Sequence, residues 1–423
     1  MYRKSIWNLI LPVLLPVAMM SEGCKSGAID KTTETGELSF TVSASKSITN
    51  SGNFTVSEDG NSLLKTAEPG WLTFDIEVPA PGRYRVSLDA EATGAAPVAC
   101  WIEDYIDNKD GRSFNITGEI LASKTGTSLI DGSPLNKGVH KIKLHAGEGS
   151  LTVKNIKFFL FKVHTPTPVT LTQATSGTQW NLVWSDEFNG SGLPDSTKWS
   201  YDVGNWGWGN NELQYYTESR VENARQEDGN LIIEARKNDN GMKWSSTRLT
   251  TRGKQTFLYG KIEFRAKVPT GRGTWSAGWL LGDEYVDELS WPYCGEVDIL
   301  ENVGYEMDSI NGDGKTHASI HCGAYYFKLN NQPTSIKDVK NMNGEFHTYT
   351  AEWTPEKIDI LVDGVKYFEY NDHSSALAWP YNKAQNIIIN LAMGGGWGGA
   401  KGVDQTLTSQ KYIIDYVRVY EKK

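Results

Sequence analysis

The 423-residue sequence is poor in several features that mark common classes of protein. It has no long run of lysine and arginine and its formal net charge is −9, so we expect no nucleic-acid partner. It has only four cysteines, and their spacing matches no zinc site. Long stretches with helical periodicity are scarce. Short strand-like runs between turn residues, with 42 glycines, instead predict an all-β protein.

The apolar run near the N-terminus is too short for a comfortable membrane-spanning helix. Arg3 and Lys4 precede this run at 6–20, which contains two prolines and is followed by Cys24. We therefore predict a signal peptide over 1–23 and an exported protein. Cys24 resembles the lipidated cysteine of bacterial lipoproteins, which predicts an outer-membrane lipoprotein on either the cell-surface or the periplasmic face. A plain secreted protein is the alternative.

Composition divides the exported part of the chain into two units. Residues 24–35 are small and polar and predict a tether, and the Thr- and Pro-rich stretch 164–178 predicts a semi-rigid linker. Between them, 36–163 contains six alternating apolar runs and predicts a small β-sandwich. Residues 179–423 form a larger unit. The six runs of the first unit are 38–42, 71–78, 83–88, 98–102, 140–145 and 151–160.

Three carboxylates lie in one strand-like segment of the larger unit. Glu296, Asp298 and Glu301 alternate with Val297, Ile299 and Leu300, which favour a strand. A regular strand turns Glu296 and Asp298 to one face and Glu301 to the other, so one extra residue, a β-bulge, is needed to bring Glu301 back. When carboxyl groups are crowded together, the pKa of at least one of them is raised. Glycoside hydrolysis uses a pair of carboxyl groups whose pKa values differ in this way. A solvated strand edge or a metal site is the simpler alternative.

Aromatic residues favour the first interpretation. Trp275, Trp279, Trp291 and Tyr293 lie close to the acidic segment in the sequence. The apolar faces of sugar rings stack on aromatic side chains, so acids and aromatics in one cleft predict a carbohydrate site.

The larger unit resembles the laminarinase-like branch of glycoside hydrolase family 16, which contains retaining endo-β-glucanases. The resemblance extends through nearly all of 179–423 and rests on six motifs in the same order. They are 184–190 (WSDEFNG), 210–217 (NNELQYYT), 259–267 (YGKIEFRAK), 295–301 (GEVDILE), 390–395 (NLAMGG) and 415–420 (DYVRVY).

The resemblance implies a concanavalin-like β-jelly-roll sandwich with an open cleft across one sheet. It implies that Glu296 is the nucleophile, that Glu301 is the general acid and base, and that Asp298 orients Glu296. No cofactor is expected for catalysis. Further substrate-binding residues implied by the resemblance are Asn211, Arg248, Trp275, Trp279, Trp291 and His321.

The resemblance also implies a structural Ca²⁺ bound by Glu187, Asp415 and the carbonyl of Gly229, because oxygen ligands suit this ion. A solvated acidic pair is the alternative. Cys294 and Cys322 are a candidate disulfide pair in an exported protein. The first sandwich resembles carbohydrate-binding modules only loosely.

The function implied by the resemblance is endo-hydrolysis of β-1,3-glucan, mixed-linkage β-1,3/1,4-glucan or both. The alternatives are a non-catalytic glucan-binding protein, a hydrolase of agar or carrageenan, and a transglycosylase. We expect a monomer whose partner is a β-glucan polysaccharide and whose contact with the membrane is the lipid anchor alone.

Overall fold

The computed structural model describes residues 38–104, 113–124, 126, 128–165 and 179–422. Regular structure in these residues consists of β-strands and three short 3₁₀ helices, so the predicted all-β class is confirmed. The 3₁₀ helices are Ala44–Lys46, Gly304–Glu306 and Phe327–Leu329. In this part of the chain no helix has the length and apolarity needed to cross a membrane. The predicted signal peptide, Cys24, the tether and most of the predicted linker lie outside the described residues.

The first unit consists of two six-stranded antiparallel sheets. One has the order β10–β6–β12–β4–β3, with β1 against β12, and its strands are β1 (Phe40–Ser43), β3 (Phe54–Val56), β4 (Leu63–Lys65), β6 (Gly82–Ala92), β10 (Ser128–Leu135) and β12 (Leu151–Val163). The other has the order β2–β5–β11–β7–β8, with β9 against β7, and its strands are β2 (Thr49–Asn50), β5 (Gly70–Val78), β7 (Val98–Asp104), β8 (Phe114–Asn115), β9 (Ile120–Ala122) and β11 (Gly138–Ala146).

Strict alternation of apolar residues explains this sandwich. On β6, Tyr84, Val86 and Leu88 are buried and join residues of the facing sheet, such as Phe74 and Ile142, in one core. Each of the six runs identified in the sequence overlaps a strand, and the predicted β-sandwich is therefore present.

The second unit also has two sheets. The ten-stranded sheet has the order β15–β18–β17–β29–β20–β25–β26–β27, with β13 against β29 and β16 against β17. Its strands are β13 (Trp180–Asp186), β15 (Tyr215–Tyr216), β16 (Ala224–Glu227), β17 (Asn230–Asp239), β18 (Met242–Ser246), β20 (Gly260–Lys267), β25 (His347–Trp353), β26 (Ile358–Val362), β27 (Val365–Tyr370) and β29 (Ser409–Lys422).

The seven-stranded sheet carries the acidic segment and has the order β14–β19–β28–β21–β22–β23–β24. Its strands are β14 (Ser200–Asp202), β19 (Arg248–Thr250), β21 (Thr274–Gly282), β22 (Glu296–Val303), β23 (Gly314–His321), β24 (Thr334–Val339) and β28 (Gln385–Met393). Its inner face packs on the ten-stranded sheet in one large core, which includes Phe264, Val297 and Ile389. The other face of the seven-stranded sheet is the floor of a cleft.

Candidate active site

A β-bulge in β22 sets the direction of the three carboxylates. Asp298 pairs with Trp279 of β21 and Leu300 pairs with Gly278, so Ile299 is an extra residue without a partner in that register. Ile299 and Leu300 both belong to the core between the sheets. Two consecutive inward-facing residues return Glu301 to the cleft face. The predicted bulge is confirmed.

The cleft over this sheet has a volume of about 680 Å³. It brings together all three predicted catalytic carboxylates and all six predicted substrate-binding residues, which come from four strands of the sheet and two loops. Lining residues from those predictions are Asn211, Arg248, Trp275, Trp279, Trp291, Glu296, Asp298, Glu301 and His321.

Two tryptophans hold the outer carboxylates. The Trp291 indole N–H donates to Glu296 Oε2 at 2.8 Å, and the Trp275 indole N–H donates to Glu301 Oε1 at 3.0 Å. Hydrogen bonds to charged acceptors are among the stronger ones in proteins. Each indole thus fixes one carboxylate while its ring lines the cleft, a contact that the sequence prediction of sugar stacking did not include.

His321, on β23, faces Glu296 and Asp298. Its Nε2 lies 3.9 Å from Glu296 Oε1 and 3.3 Å from Asp298 Oδ2, although Asp298 Oδ2 accepts no hydrogen bond within the protein. The ligand atoms of these three residues lie within 4.8 Å of one another. Geometry alone therefore allows either a catalytic cluster or a metal site, as the sequence did.

Burial in the cleft raises the pKa of each acid in this cluster. Burial, with the neighbouring Asp298 charge, raises the pKa of Glu296 to about 8. Burial also raises the pKa of Asp298 to about 8, and it raises the pKa of Glu301 well above its ordinary value, again with Asp298 adding to the effect. Three carboxylates this close cannot all ionise near neutral pH, so the cluster retains a proton.

Glu296 and Glu301 differ in how far burial raises the pKa of each. An indole N–H and His321 oppose the rise in both acids, but the pKa of Glu301 still rises further than that of Glu296. The Glu296 side chain also keeps 16% of its surface exposed to the cleft, where water can solvate its charge. Glu296 is therefore the acid better suited to ionise, and Glu301 is the one better suited to retain a proton.

The remaining predicted binding residues lie on the floor and rim. Arg248 is 9% exposed and its guanidinium lies between the rings of Trp208 and Trp279, 4.8 Å and 4.7 Å from their centroids. Trp279 Nε1 also donates to Asn390 Oδ1 at 2.8 Å. Asn211 is exposed at the rim, with a left-handed φ of 58°.

Several cleft residues were absent from the sequence prediction. Glu212 and Asn390 lie within motifs that the sequence comparison identified, so inspection of those motifs could have found them. Trp397 stands in a glycine-rich stretch, and its ring packs edge-on against Trp275 with centroids 5.3 Å apart. Trp208, Tyr285 and Glu288 lie on loops that flank the sheet. Lys328 lies in the 3₁₀ helix Phe327–Leu329, and Phe114 comes from β8 of the first unit.

The predicted calcium ligands have arginine partners. Glu187 accepts two hydrogen bonds from Arg418, at 2.9 Å and 2.8 Å, and Asp415 pairs with Arg265 at 2.5 Å. Gly229 lies in the turn between β16 and β17, with φ 73°. Ca²⁺ would therefore have to displace both guanidinium groups, and the calcium site stays a prediction.

The candidate disulfide pair, Cys294 and Cys322, is not bridged. Both thiols are buried and free. They lie in separate apolar clusters, since Cys322 belongs to the core between the sheets and Cys294 packs beside the cleft with Trp291 and Tyr285.

Comparison with known proteins identifies the family of the chain. Residues 210–418 match glycosyl hydrolases family 16. A beta-glucanase of Rhodothermus marinus is 45% identical over 249 residues, which cover 57% of this chain and 85% of that protein. The chain belongs to glycosyl hydrolase family 16. The catalytic roles of Glu296, Asp298 and Glu301 stay a prediction.

A second relative and a solved structure match a similar share of this family 16 chain. A glucan endo-1,3-beta-glucosidase of Cryptopygus antarcticus is 36% identical, covering 56% of this chain and 91% of that protein. The X-ray structure of the laminarinase from Rhodothermus marinus superposes with a TM-score of 0.54 at 44% identity, covering 57% of this chain and 98% of that chain. The expected jelly-roll sandwich is confirmed.

Proposed function

We propose that this protein is a retaining endo-hydrolase of β-1,3-glucan, of mixed-linkage β-1,3/1,4-glucan, or of both. The observation that carries the proposal is the bulged strand, which points Glu296, Asp298 and Glu301 together into a tryptophan-lined cleft. The relatives named as a beta-glucanase, an endo-1,3-beta-glucosidase and a laminarinase support glucan as the substrate.

In the first step, ionised Glu296 attacks the anomeric carbon and the bond to the leaving sugar breaks. Glu301 gives its proton to the departing glycosidic oxygen, so a covalent glycosyl-enzyme and a new chain end form together. The Trp291 N–H holds Glu296 in place for the attack, and Asp298 between the two acids keeps one proton shared within the cluster.

In the second step, Glu301 takes a proton from a water molecule, whose oxygen attacks the same anomeric carbon and releases Glu296. Two displacements give net retention of the anomeric configuration. A second sugar could replace water in this step, which is how transglycosylation would arise.

The charge of the cleft argues against a sulfated galactan. Five carboxyl groups line it, against the two cations Arg248 and Lys328. Two cations offer few positive charges for binding the sulfate groups of such a substrate. A non-catalytic glucan-binding protein would not need both acids of the pair, and this chain has Glu296 and Glu301.

We also propose that the enzyme is exported as a lipid-anchored monomer that degrades polysaccharide outside the cytoplasm. The support is the sequence before and including Cys24, together with a polymeric substrate that is too large to enter a cell intact.

The test is product analysis on laminarin, barley glucan, cellulose and agarose side by side, with Glu296→Gln as the inactive control. We expect a spread of oligosaccharides from laminarin, barley glucan or both, at early times. Cleavage of agarose alone, or release of only monosaccharide at early times, would overturn the proposal.

A further inference from the structure

The N-terminal sandwich contributes a side chain to the cleft of the hydrolase unit. Phe114, on the edge strand β8, lines the cleft and is 3% exposed. The other buried members of its apolar cluster all come from the second unit: Leu281, Tyr285, Leu289, Trp291, Cys294, Tyr326 and Ile388. The Lys328 ammonium group lies 3.8 Å from the centroid of the Phe114 ring.

A second contact from the sandwich reaches the same place. The backbone N–H of Asn136 donates to Asp287 Oδ2 at 3.1 Å, and Asp287 Oδ1 accepts from the Ser290 N–H at 2.8 Å. Asp287 thereby organises the turn that leads into Trp291. Within the sandwich, buried His140 contacts the Asn136 carbonyl at 2.8 Å and Asp104 at 2.6 Å, which fixes the position of Asn136.

Further polar contacts dock the two units together. Tyr215 donates to Asp131 Oδ2 at 2.6 Å, while Arg85 pairs with Asp131 Oδ1 at 2.7 Å. Arg83 donates to the carbonyl oxygen of Val203. A buried charged group that loses its hydrogen-bond partner costs free energy. The contacts between the units therefore oppose their separation.

We propose that the N-terminal sandwich is a fixed part of the cleft wall, and that Phe114 is a positioning residue for the loop 283–295. This loop joins β21 to β22 and carries Tyr285, Glu288 and Trp291. Because Trp291 donates to Glu296, the loop position sets the geometry of the proposed nucleophile. The sandwich thus determines how a glucan chain fits on the Glu296 side of the cleft.

Comparison with a solved relative sets the sandwich apart from the shared unit. About 57% of this chain, the share of the second unit, is matched by 98% of the Rhodothermus marinus laminarinase chain. The sandwich is therefore an addition to that shared unit. A tethered binding module would not need to place a buried side chain in the partner's apolar cluster.

The inference rests on the proposed function, because one of its readouts is the rate of glucan cleavage. The test in the full-length protein therefore has a second readout, amide hydrogen exchange, which does not depend on cleavage. The variant is Phe114→Ala, with Phe54→Ala as the matched control. Phe54 is 6% exposed in the core of the same sandwich and does not line the cleft. Phe114→Leu, which keeps most of the apolar volume, serves if the alanine variant does not fold.

We expect Phe114→Ala to lower kcat/KM on laminarin by about 10- to 100-fold, the scale of a small misplacement of catalytic groups. Phe114→Leu should recover most of this loss, and Phe54→Ala should stay within about a factor of two of the wild type when assayed below its melting temperature. Equal kcat/KM values for Phe114→Ala and Phe54→Ala would overturn the positioning role of Phe114.

Amide hydrogen exchange over 283–295 separates this inference from the proposed function. Exchange in that loop should rise in Phe114→Ala and stay at the wild-type rate in Phe54→Ala, whether or not glucan is cleaved. Unchanged exchange in Phe114→Ala would overturn the inference. A wild-type protein that cleaves no glucan would overturn the proposed function alone.

Discussion

Replacing Trp291 with phenylalanine tests how the cleft controls its nucleophile. The substitution keeps an aromatic ring but removes the N–H that donates to Glu296 Oε2 at 2.8 Å. A hydrogen bond to a charged group contributes about 1.5–3 kcal/mol. Because a pKa difference of one unit equals about 1.4 kcal/mol, loss of this bond should raise the pKa of Glu296 by about one to two units.

The sign of the effect on activity follows from the role of Glu296. The nucleophile acts as a carboxylate, and its pKa is already raised to about 8 by burial and Asp298. A further rise leaves less carboxylate at a given pH. The acid limb of the pH profile should therefore move to higher pH in Trp291→Phe, and the loss of kcat/KM should be largest at low pH.

The assay is the pH dependence of kcat/KM on laminarin, with Trp279→Phe as the control. The Trp279 indole donates to Asn390 and not to either acid of the pair, so its removal should lower activity without moving the acid limb. A loss in Trp291→Phe that is equal at all pH values would refute the reasoning, since it would indicate lost stacking on the sugar instead of altered ionisation.

Three further predictions follow from the bulge, the arginine pairs and the thiols. Inserting one alanine after Asp298 should turn the side chain of Glu301, the general acid, into the apolar core. Activity should then fall by about 10²- to 10⁴-fold, which is the contribution of general acid–base catalysis. An active insertion variant would contradict the role of the bulge. Chelation should lower the melting temperature if Glu187 and Asp415 bind Ca²⁺, and excess Ca²⁺ should restore it; an unchanged melting curve would mean that arginine takes the place of the ion. Because Cys294 and Cys322 are free, a reducing agent should leave the melting temperature unchanged, and a clear decrease on reduction would contradict the separation of the two thiols.

The acidic strand shows how much of the site could be predicted from local sequence. The spacing of Glu296, Asp298 and Glu301 requires a bulge if all three are to share a face, and the apolar residues between them require a buried opposite face. Both requirements are local, so the register in the structure follows from them. The alternating runs of the N-terminal sandwich were predictable for the same reason.

Contacts between distant segments could not be predicted in this way. Phe114 and Trp291 are separated by more than 170 positions, and no local pattern distinguishes Phe114 from other buried aromatics of its sandwich. The arginines that pair with Glu187 and Asp415 likewise come from other strands, and the distance between Cys294 and Cys322 depends on which face of the sheet each one occupies.

Identification of the covalent intermediate tests the central claim most directly. A fluorinated laminari-oligosaccharide with a good leaving group should trap the glycosyl-enzyme, and peptide mass spectrometry should find the label on Glu296 and on no other residue. Labelling of Asp298 or Glu301, or rapid turnover to an inverted product with no trapped enzyme, would contradict the assignment of Glu296 as the nucleophile of a retaining hydrolase.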